Sequence, residues 1–307
     1  MIQRRAFLLA SAALVALPGS LMAKPRVRGG VQRIALAGAR APIEVVEDEL
    51  GVPHVRAASK HDAFFAQGYL VARDRLFQLD IDHRREMGRM AEAFGPAFVA
   101  ADRAARLFHY RGDIEAELSA LSAEVLECAR GYVAGVNARI DELADNPADM
   151  PLEYGILGFT PLRWNIRELV KRRGVGMGDA DDEVRRARLQ ARGLIDAEQL
   201  MMPLRPAWSF SVPDGLDVAG VSDADLGVLD PANRPMPYDS LQEPRSDPNQ
   251  PEGDRFALGS NAWTIAASRS ATGRPILAND PHLGIGGASP RHMIHLTAPG
   301  LDVMGAG

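Results

Sequence analysis

Ser260 sits in the run Leu258-Gly259-Ser260-Asn261-Ala262-Trp263, and His282 follows in Asn279-Asp280-Pro281-His282-Leu283. A serine hydroxyl is a weak nucleophile at neutral pH and needs an adjacent base. An α-amine, with an ordinary pKa of about 7.7–8.0, suits that task, whereas a lysine at about 10.4 needs a large downward shift. A serine at a chain N-terminus therefore carries nucleophile and base on one residue. Gly259, without a Cβ, can present its carbonyl to Ser260 Oγ. A Gly-Ser pair alone is common turn punctuation.

Other chemistries fit less well. No Gly-x-Ser-x-Gly elbow exists in the chain, which argues against an α/β hydrolase. His292 and His295 lack a third ligand and a glutamate base, which argues against zinc. Cys128, the only cysteine, falls in an apolar helical pattern and reads as a small buried hydrophobe. The acidic run Asp179 to Glu183 is not an EF-hand, because the required glycine and terminal glutamate spacing are absent. Acids at a helix start are explained by the macrodipole alone.

The elements around these residues follow from pattern. The 307 residues, 46% of them hydrophobic, suffice for one large or two ordinary domains. A net charge of −5 with no basic stripe speaks against a nucleic-acid partner. Residues 1–23 read as an export signal: Arg4-Arg5-Ala6-Phe7-Leu8, an apolar run to Leu17, then Pro18-Gly19-Ser20 and a small residue at Ala23. Paired arginines favour the twin-arginine route, and the run is too short to be a membrane anchor. The expected location is periplasmic or secreted.

Short strands are expected at 34–36, 43–46 and 52–55, with a turn at Asp48-Glu49-Leu50-Gly51. Ser59-Lys60-His61-Asp62 resembles a capping box. A helix is expected from Ala63 to about Phe94, stopping at Gly95-Pro96. Leu118, Leu121, Val125, Cys128, Tyr132, Val136, Ile140 and Leu143 fall three or four apart, predicting one long helix over 114–143. Another helix is expected to begin at Gly178. Residues 203–256 hold nine prolines, many aspartates and no period, which suits a spacer better than a packed segment. After Ser260, alternation of Trp263, Ile265 and Ala267 with Thr264, Ala266 and Ser268 predicts a half-buried strand over 261–267. Thr272-Gly273-Arg274-Pro275 turns into a partner at 276–278.

Gly-Ser-Asn-x-Trp followed by Asn-Asp-Pro-His-Leu resembles the start of the catalytic β chain in the penicillin acylase family of N-terminal nucleophile hydrolases. Four further blocks resemble the opening of that family's α chain, in order: 48–55 (Asp-Glu-Leu-Gly-Val-Pro-His-Val), 67–69 (Gln-Gly-Tyr), 72–80 (Ala-Arg-Asp-Arg-Leu-Phe-Gln-Leu-Asp) and 88–95 (Gly-Arg-Met-Ala-Glu-Ala-Phe-Gly). Asp74, Arg75, Arg84, Arg85 and Arg89 read as charge pairs along a helix.

The resemblance implies a precursor that cuts itself between Gly259 and Ser260, leaving Ser260 as nucleophile and its amine as base. It implies an α+β fold of αββα type, here a mostly helical α-chain part and the first strands of the β-chain sheet. The corresponding division is 1–23 signal, 24–202 α-chain part, 203–259 spacer and 260–307 start of the β chain. The resemblance further implies that His282, where relatives carry glutamine or histidine, adjusts Ser260. Glu183 matches a ligand of a structural calcium. The segment 150–164 matches a loop entering the helices that wall the pocket. Gly176 and Met177 fall where relatives line it, but are small and flexible rather than cationic and aromatic.

The implied substrate is a small acylated amine: a β-lactam, an N-acyl homoserine lactone or similar. The implied partner is the protein's own β chain in an α/β heterodimer. In the family that chain runs several hundred residues, so the expectation is a truncated member, incomplete and inactive as it stands. The rival expectation is a non-catalytic exported remnant that binds something or is inert.

Overall fold

A computed structural model describes residues 31–34, 38–171, 180–201, 260–281 and 291–306, with isolated positions 213, 215 and 227. The expected signal at 1–23 and nearly all of the expected spacer lie outside the described residues. The chain divides into two units, one formed by Met1–Arg234 with Met293–Gly305 and one by Pro235–His292 with Ala306–Gly307.

The larger unit is built on a five-stranded sheet. Strands β1 (Val31–Ile34), β2 (Ile43–Glu47) and β3 (Pro53–Arg56) form an antiparallel meander. The turn between β2 and β3 is closed by Asp48, whose Oδ1 accepts the N–H groups of Leu50 and Val52, both at 2.9 Å. Much further along the chain, β6 (Met293–Ala298) pairs parallel with β3, placing His54 beside His295 and Val55 beside Leu296. Strand β7 (Leu301–Ala306) completes the order β1-β2-β3-β6-β7. The expected first three strands are therefore present, the first displaced toward the N-terminus.

Alternation decides which face is buried. Ile43, Val45, Val55, Ile294, Leu296 and Ala298 form one side of the sheet and pack on Ala63, Phe65, Ala66 and Leu70. Those four lie on α1 (Lys60–Met87). Each large apolar side chain sealed there contributes about 1.5–3 kcal/mol. Ser59 caps α1, its Oγ accepting the Asp62 N–H at 3.1 Å. The reciprocal half of a capping box is altered, because Asp62 Oδ1 instead accepts the N–H of Arg40 at 2.8 Å.

Two helix expectations need correction. The single helix expected from Ala63 to Phe94 ends at Met87, where Gly88 takes φ +61° and its N–H bonds the Arg85 carbonyl. A left-handed residue cannot continue a helix. Met90–Phe94 is a separate helix, α2, and Asp102 of α3 (Val99–Leu107) caps it by accepting Met90 N–H and Ala91 N–H, each at 2.8 Å. The long helix expected over 114–143 is also two: α4 (Ile114–Ala120), capped by Asp113, and α5 (Ala123–Asp145), capped by Ser122. The break puts Leu121 and Val125 on the surface, while Leu118, Val136, Ile140 and Leu143 are buried as expected. Cys128 is half-buried.

Helices α6 (Leu152–Leu157), α7 (Glu168–Lys171), α8 (Ala180–Ala191) and α9 (Ile195–Met201) follow. The described residues are thus mixed α+β with helix predominating. Among them no helix is long and apolar enough to cross a membrane. The smaller unit contributes one antiparallel ribbon of β4 (Ser260–Ile265) and β5 (Ile276–Pro281).

Candidate active site

Ser260 is the first residue of β4, and its side of the ribbon is set by register. Ser260 stands opposite Pro281, Asn261 opposite Asp280, and Ala262 opposite Asn279. Directly opposed residues share a face in an antiparallel pair. Ala262, Thr264, Leu277 and Asn279 therefore lie on the Ser260 face, and Asn261, Trp263, Ile265 and Asp280 on the other. Pro281 has no N–H to give, so at the level of Ser260 that strand offers only its carbonyl.

The link between the strands is a chain of local bonds. Ser270 Oγ lies 2.8 Å from Thr272 Oγ1, and the N–H of Gly273 donates to the Ser270 carbonyl at 3.1 Å. Gly273 has φ +67°, a conformation that favours glycine. The turn expected at 272–275 is thus observed, and the partner strand is longer than the three residues expected. The expectation of a half-buried strand fails: Ser260 to Thr264 are exposed and Trp263 is 54% exposed. The physical reason is that two strands alone have no apolar layer to cover either face.

Ser260 is therefore an exposed serine at a strand start. Gly259 and His282, which flank Ser260 and Pro281 in sequence, lie outside the described residues. So do Gly176 and Met177. Glu183 is exposed on α8, in the larger unit. Among the described residues there is no group of three or more His, Cys, Asp or Glu able to hold a metal ion. Calcium takes six to eight oxygens. Glu183 could supply at most a bidentate share of them. His295 lies on β6, and its ring meets that of His54.

The segment that the sequence links to a pocket wall is held by buried polar groups. Asp80 Oδ2 accepts Arg84 Nε–H at 3.0 Å and Asp80 Oδ1 accepts the N–H of Leu162 at 2.9 Å. An Arg84 Nη–H donates to the Thr160 carbonyl at 2.6 Å, and the guanidinium lies 4.8 Å from the Phe159 ring centroid. Burial, then Asp80, pushes the Tyr154 hydroxyl far above its ordinary range. Asn137 grips the backbone of Trp164 from both sides, by Nδ2–H to its carbonyl at 2.9 Å and Oδ1 from its N–H at 2.8 Å. The His83 ring packs against Trp164 at a tilt of 42°, and its Nε2 meets Glu168 at 3.1 Å.

Beside this segment runs an open cleft of about 420 Å³, lined by Arg130, Asn137, Asp141, Arg163, Trp164 and Ile166 among others. It contains no nucleophile with a base and belongs to the larger unit alone. Sequence reasoning missed Asn137 and Asp80 as anchors; their signal was a polar residue within an apolar helix face. The charge pairs expected of Arg84, Arg85 and Asp74 are present on α1, Arg84 with Asp80, Arg85 with Asp82 and Asp74 with Arg73, and they serve the scaffold; Arg73 also reaches buried Glu47 on β2.

Comparison with known proteins places these features. The family model described as penicillin amidase matches residues 42–307. The chain is 34% identical over 282 residues to penicillin acylase 2 proenzyme of Pseudomonas sp. (strain SE83), covering 87% of this chain and 35% of that protein. It is 40% identical over 123 residues to penicillin G acylase of Escherichia coli, covering 40% of this chain and 14% of that protein. It is 25% identical over 285 residues to acyl-homoserine lactone acylase QuiP of Pseudomonas aeruginosa, covering 90% of this chain and 31% of that protein. A solved thermostable penicillin G acylase from Alcaligenes faecalis is 27% identical with a TM-score of 0.44, covering 57% of this chain and 96% of that chain. The chain spans about a third or less of the length of these curated relatives. With the family model matching most of its residues, the chain belongs to the penicillin amidase family.

Proposed function

We propose that the protein is an exported precursor of an amide-hydrolysing acylase whose nucleophile is Ser260. The observation that carries this reading is the family match over residues 42–307, which takes in Ser260, with Ser260 exposed at the start of a strand. In the self-cut, Ser260 Oγ attacks the Gly259 carbonyl and the Gly259–Ser260 C–N bond breaks. Water then hydrolyses the resulting ester, leaving a Gly259 carboxylate and a free Ser260 amine.

In turnover the same oxygen attacks the substrate's acyl carbonyl while the α-amine takes its proton and returns it to the leaving amine. An acyl-serine forms and water releases the acid. His282, next after Pro281, orients the Ser260 hydroxyl. The two chains stay together as a heterodimer, and Glu183 supplies one carboxylate to a structural calcium.

The substrate class is a small N-acylated amine. Relatives are named for penicillin and for acyl-homoserine lactones. Small, uncharged Gly176 and Met177 favour an acyl group without a negative charge.

The test is a serine-directed sulfonyl fluoride. Peptide mass mapping is expected to find the adduct on Ser260 and none on the other serines, with a panel of N-acyl amides competing for it. An unmodified Ser260 in protein that begins at that serine would overturn the nucleophile assignment.

A further inference from the structure

On the sheet face turned away from α1, four side chains from four places in the sequence form one line. Asp48 Oδ2 lies 3.3 Å from His54 Nε2, His54 Nδ1 lies 3.0 Å from His295 Nδ1, and His295 Nε2 lies 2.8 Å from Asp302 Oδ1. The ring centroids are 5.2 Å apart with the planes at 85°. A centroid lies roughly 1.1 Å from each ring nitrogen, so 3.0 Å between nitrogens and 5.2 Å between centroids requires the rings to meet almost head-on. That is the geometry of an N–H···N bond rather than of two nitrogens converging on a metal.

Hydrogen counting then gives a definite result. Ionised carboxylates only accept, and a neutral imidazole carries one N–H. The line has three links and each needs one hydrogen: one on each outer Nε2 and one between the two Nδ1 atoms. Two neutral imidazoles bring two. The third link is made only when one more proton is bound.

We propose that the His54–His295 pair holds one shared additional proton and acts as a pH-operated latch between β3 and β6. The surroundings suit a single positive charge. Asp48 and Asp302 flank the pair at its ends, and Asp48 is held below the usual carboxylate range, chiefly by the Val52 N–H. One register step along the same face, Arg56 stands opposite Glu44 on β2, while apolar Val46 stands opposite His54. Thr297 Oγ1 approaches His295 Nε2 at 3.4 Å. A second proton would set two donors against each other at 3.0 Å.

The place of the latch gives it consequence. In the five-stranded sheet, β3–β6 is the junction at which residues before Ser260 meet residues after it. The inference holds whether or not the chain cuts at Ser260. If it does cut, this joint becomes one between two chains.

The test is nitrogen-15 NMR of the whole chain with labelled histidine, assigned by His54→Gln and His295→Gln. At pH 6 three of the four ring nitrogens of the pair are expected to carry hydrogen, and at pH 8.5 two. Amide exchange at Val55 and Leu296, corrected for its intrinsic pH dependence, is expected to lose about tenfold or more in protection over that interval, since one linked proton is worth up to a factor of about ten for each pH unit. His295→Gln is expected to abolish that loss. Two protonated nitrogens at both pH values, or the same loss of protection in His295→Gln, would overturn the proposal. The wild-type spectra decide the count even if a variant fails to fold.

Discussion

Arg84 and Asp80 are bonded at 3.0 Å with only 3% and 1% of their side chains exposed, one helical turn apart on α1. Asp80 also accepts the Leu162 N–H, so one carboxylate ties a buried cation to a loop far along the chain. Removing one partner of a buried pair leaves an uncompensated charge and costs about 3–5 kcal/mol. Asp80→Ala is expected to lower the unfolding free energy by that amount in urea denaturation. A loss below about 1 kcal/mol would show that the pair is not buried as described.

Gly135 on α5 lies against α1 so closely that a Cβ would stand 2.0 Å from the Phe65 carbonyl oxygen and 2.8 Å from Tyr69 N. Both of those atoms are backbone, so relief requires the helices to part. Gly135→Ala is expected to cost about 1–3 kcal/mol or more, the range for overpacked interiors. Gly155 on α6 meets nothing within 4 Å. Gly155→Ala is expected to be neutral or to stabilise by about 0.5–1 kcal/mol. Parallel thermal melts of the two variants separate contact from helix propensity.

Asp62 is almost completely buried beneath the N-terminus of α1. Burial acts to raise its pKa, but the Arg40 N–H, His61 and Ser59 outweigh it and hold the carboxyl below its ordinary value. A depressed folded value stabilises the protein above the unfolded carboxylate pKa of about 3.9, and that contribution is lost as pH falls through the folded value. Acid titration followed by circular dichroism is expected to show the loss below about pH 4. Asp62→Asn is expected to lower stability at pH 7 by about 1–3 kcal/mol and to flatten the acid limb.

Tyr69 donates its hydroxyl hydrogen to Glu142 at 2.8 Å. Burial first, and then Glu142, push its pKa up to about 12. A neutral form favoured by the fold contributes stability below the ordinary tyrosine value of about 10, and that contribution is lost as pH rises toward the folded value. Ultraviolet titration is expected to find Tyr69 among the late-ionising tyrosines, with Tyr154 later still, and Glu142→Gln to bring Tyr69 earlier.

Legibility followed the range of the interactions involved. The strands at 43–47 and 53–56, the cap at Ser59 and the ribbon after Ser260 were readable because alternation and turn residues are local signals. The breaks at Gly88 and at Leu121-Ser122 were missed because apolar period continues across both. What ends those helices is a left-handed glycine and a serine cap, and the period carries neither. The parallel pairing of β3 with β6 depends on residues hundreds of positions apart, so no local pattern announces it. At the candidate site, Ser260 was legible from its neighbours. Its exposure was not, since alternation describes what a strand can bury rather than what lies against it.

The account stands on Ser260 becoming a chain terminus. The direct measurement is intact mass with N-terminal sequencing of the purified protein beside a Ser260→Ala control. The expected result is two fragments, one beginning Ser-Asn-Ala-Trp, and a single uncut chain in the control. An uncut wild type, or the same two fragments from the alanine variant, would contradict the account.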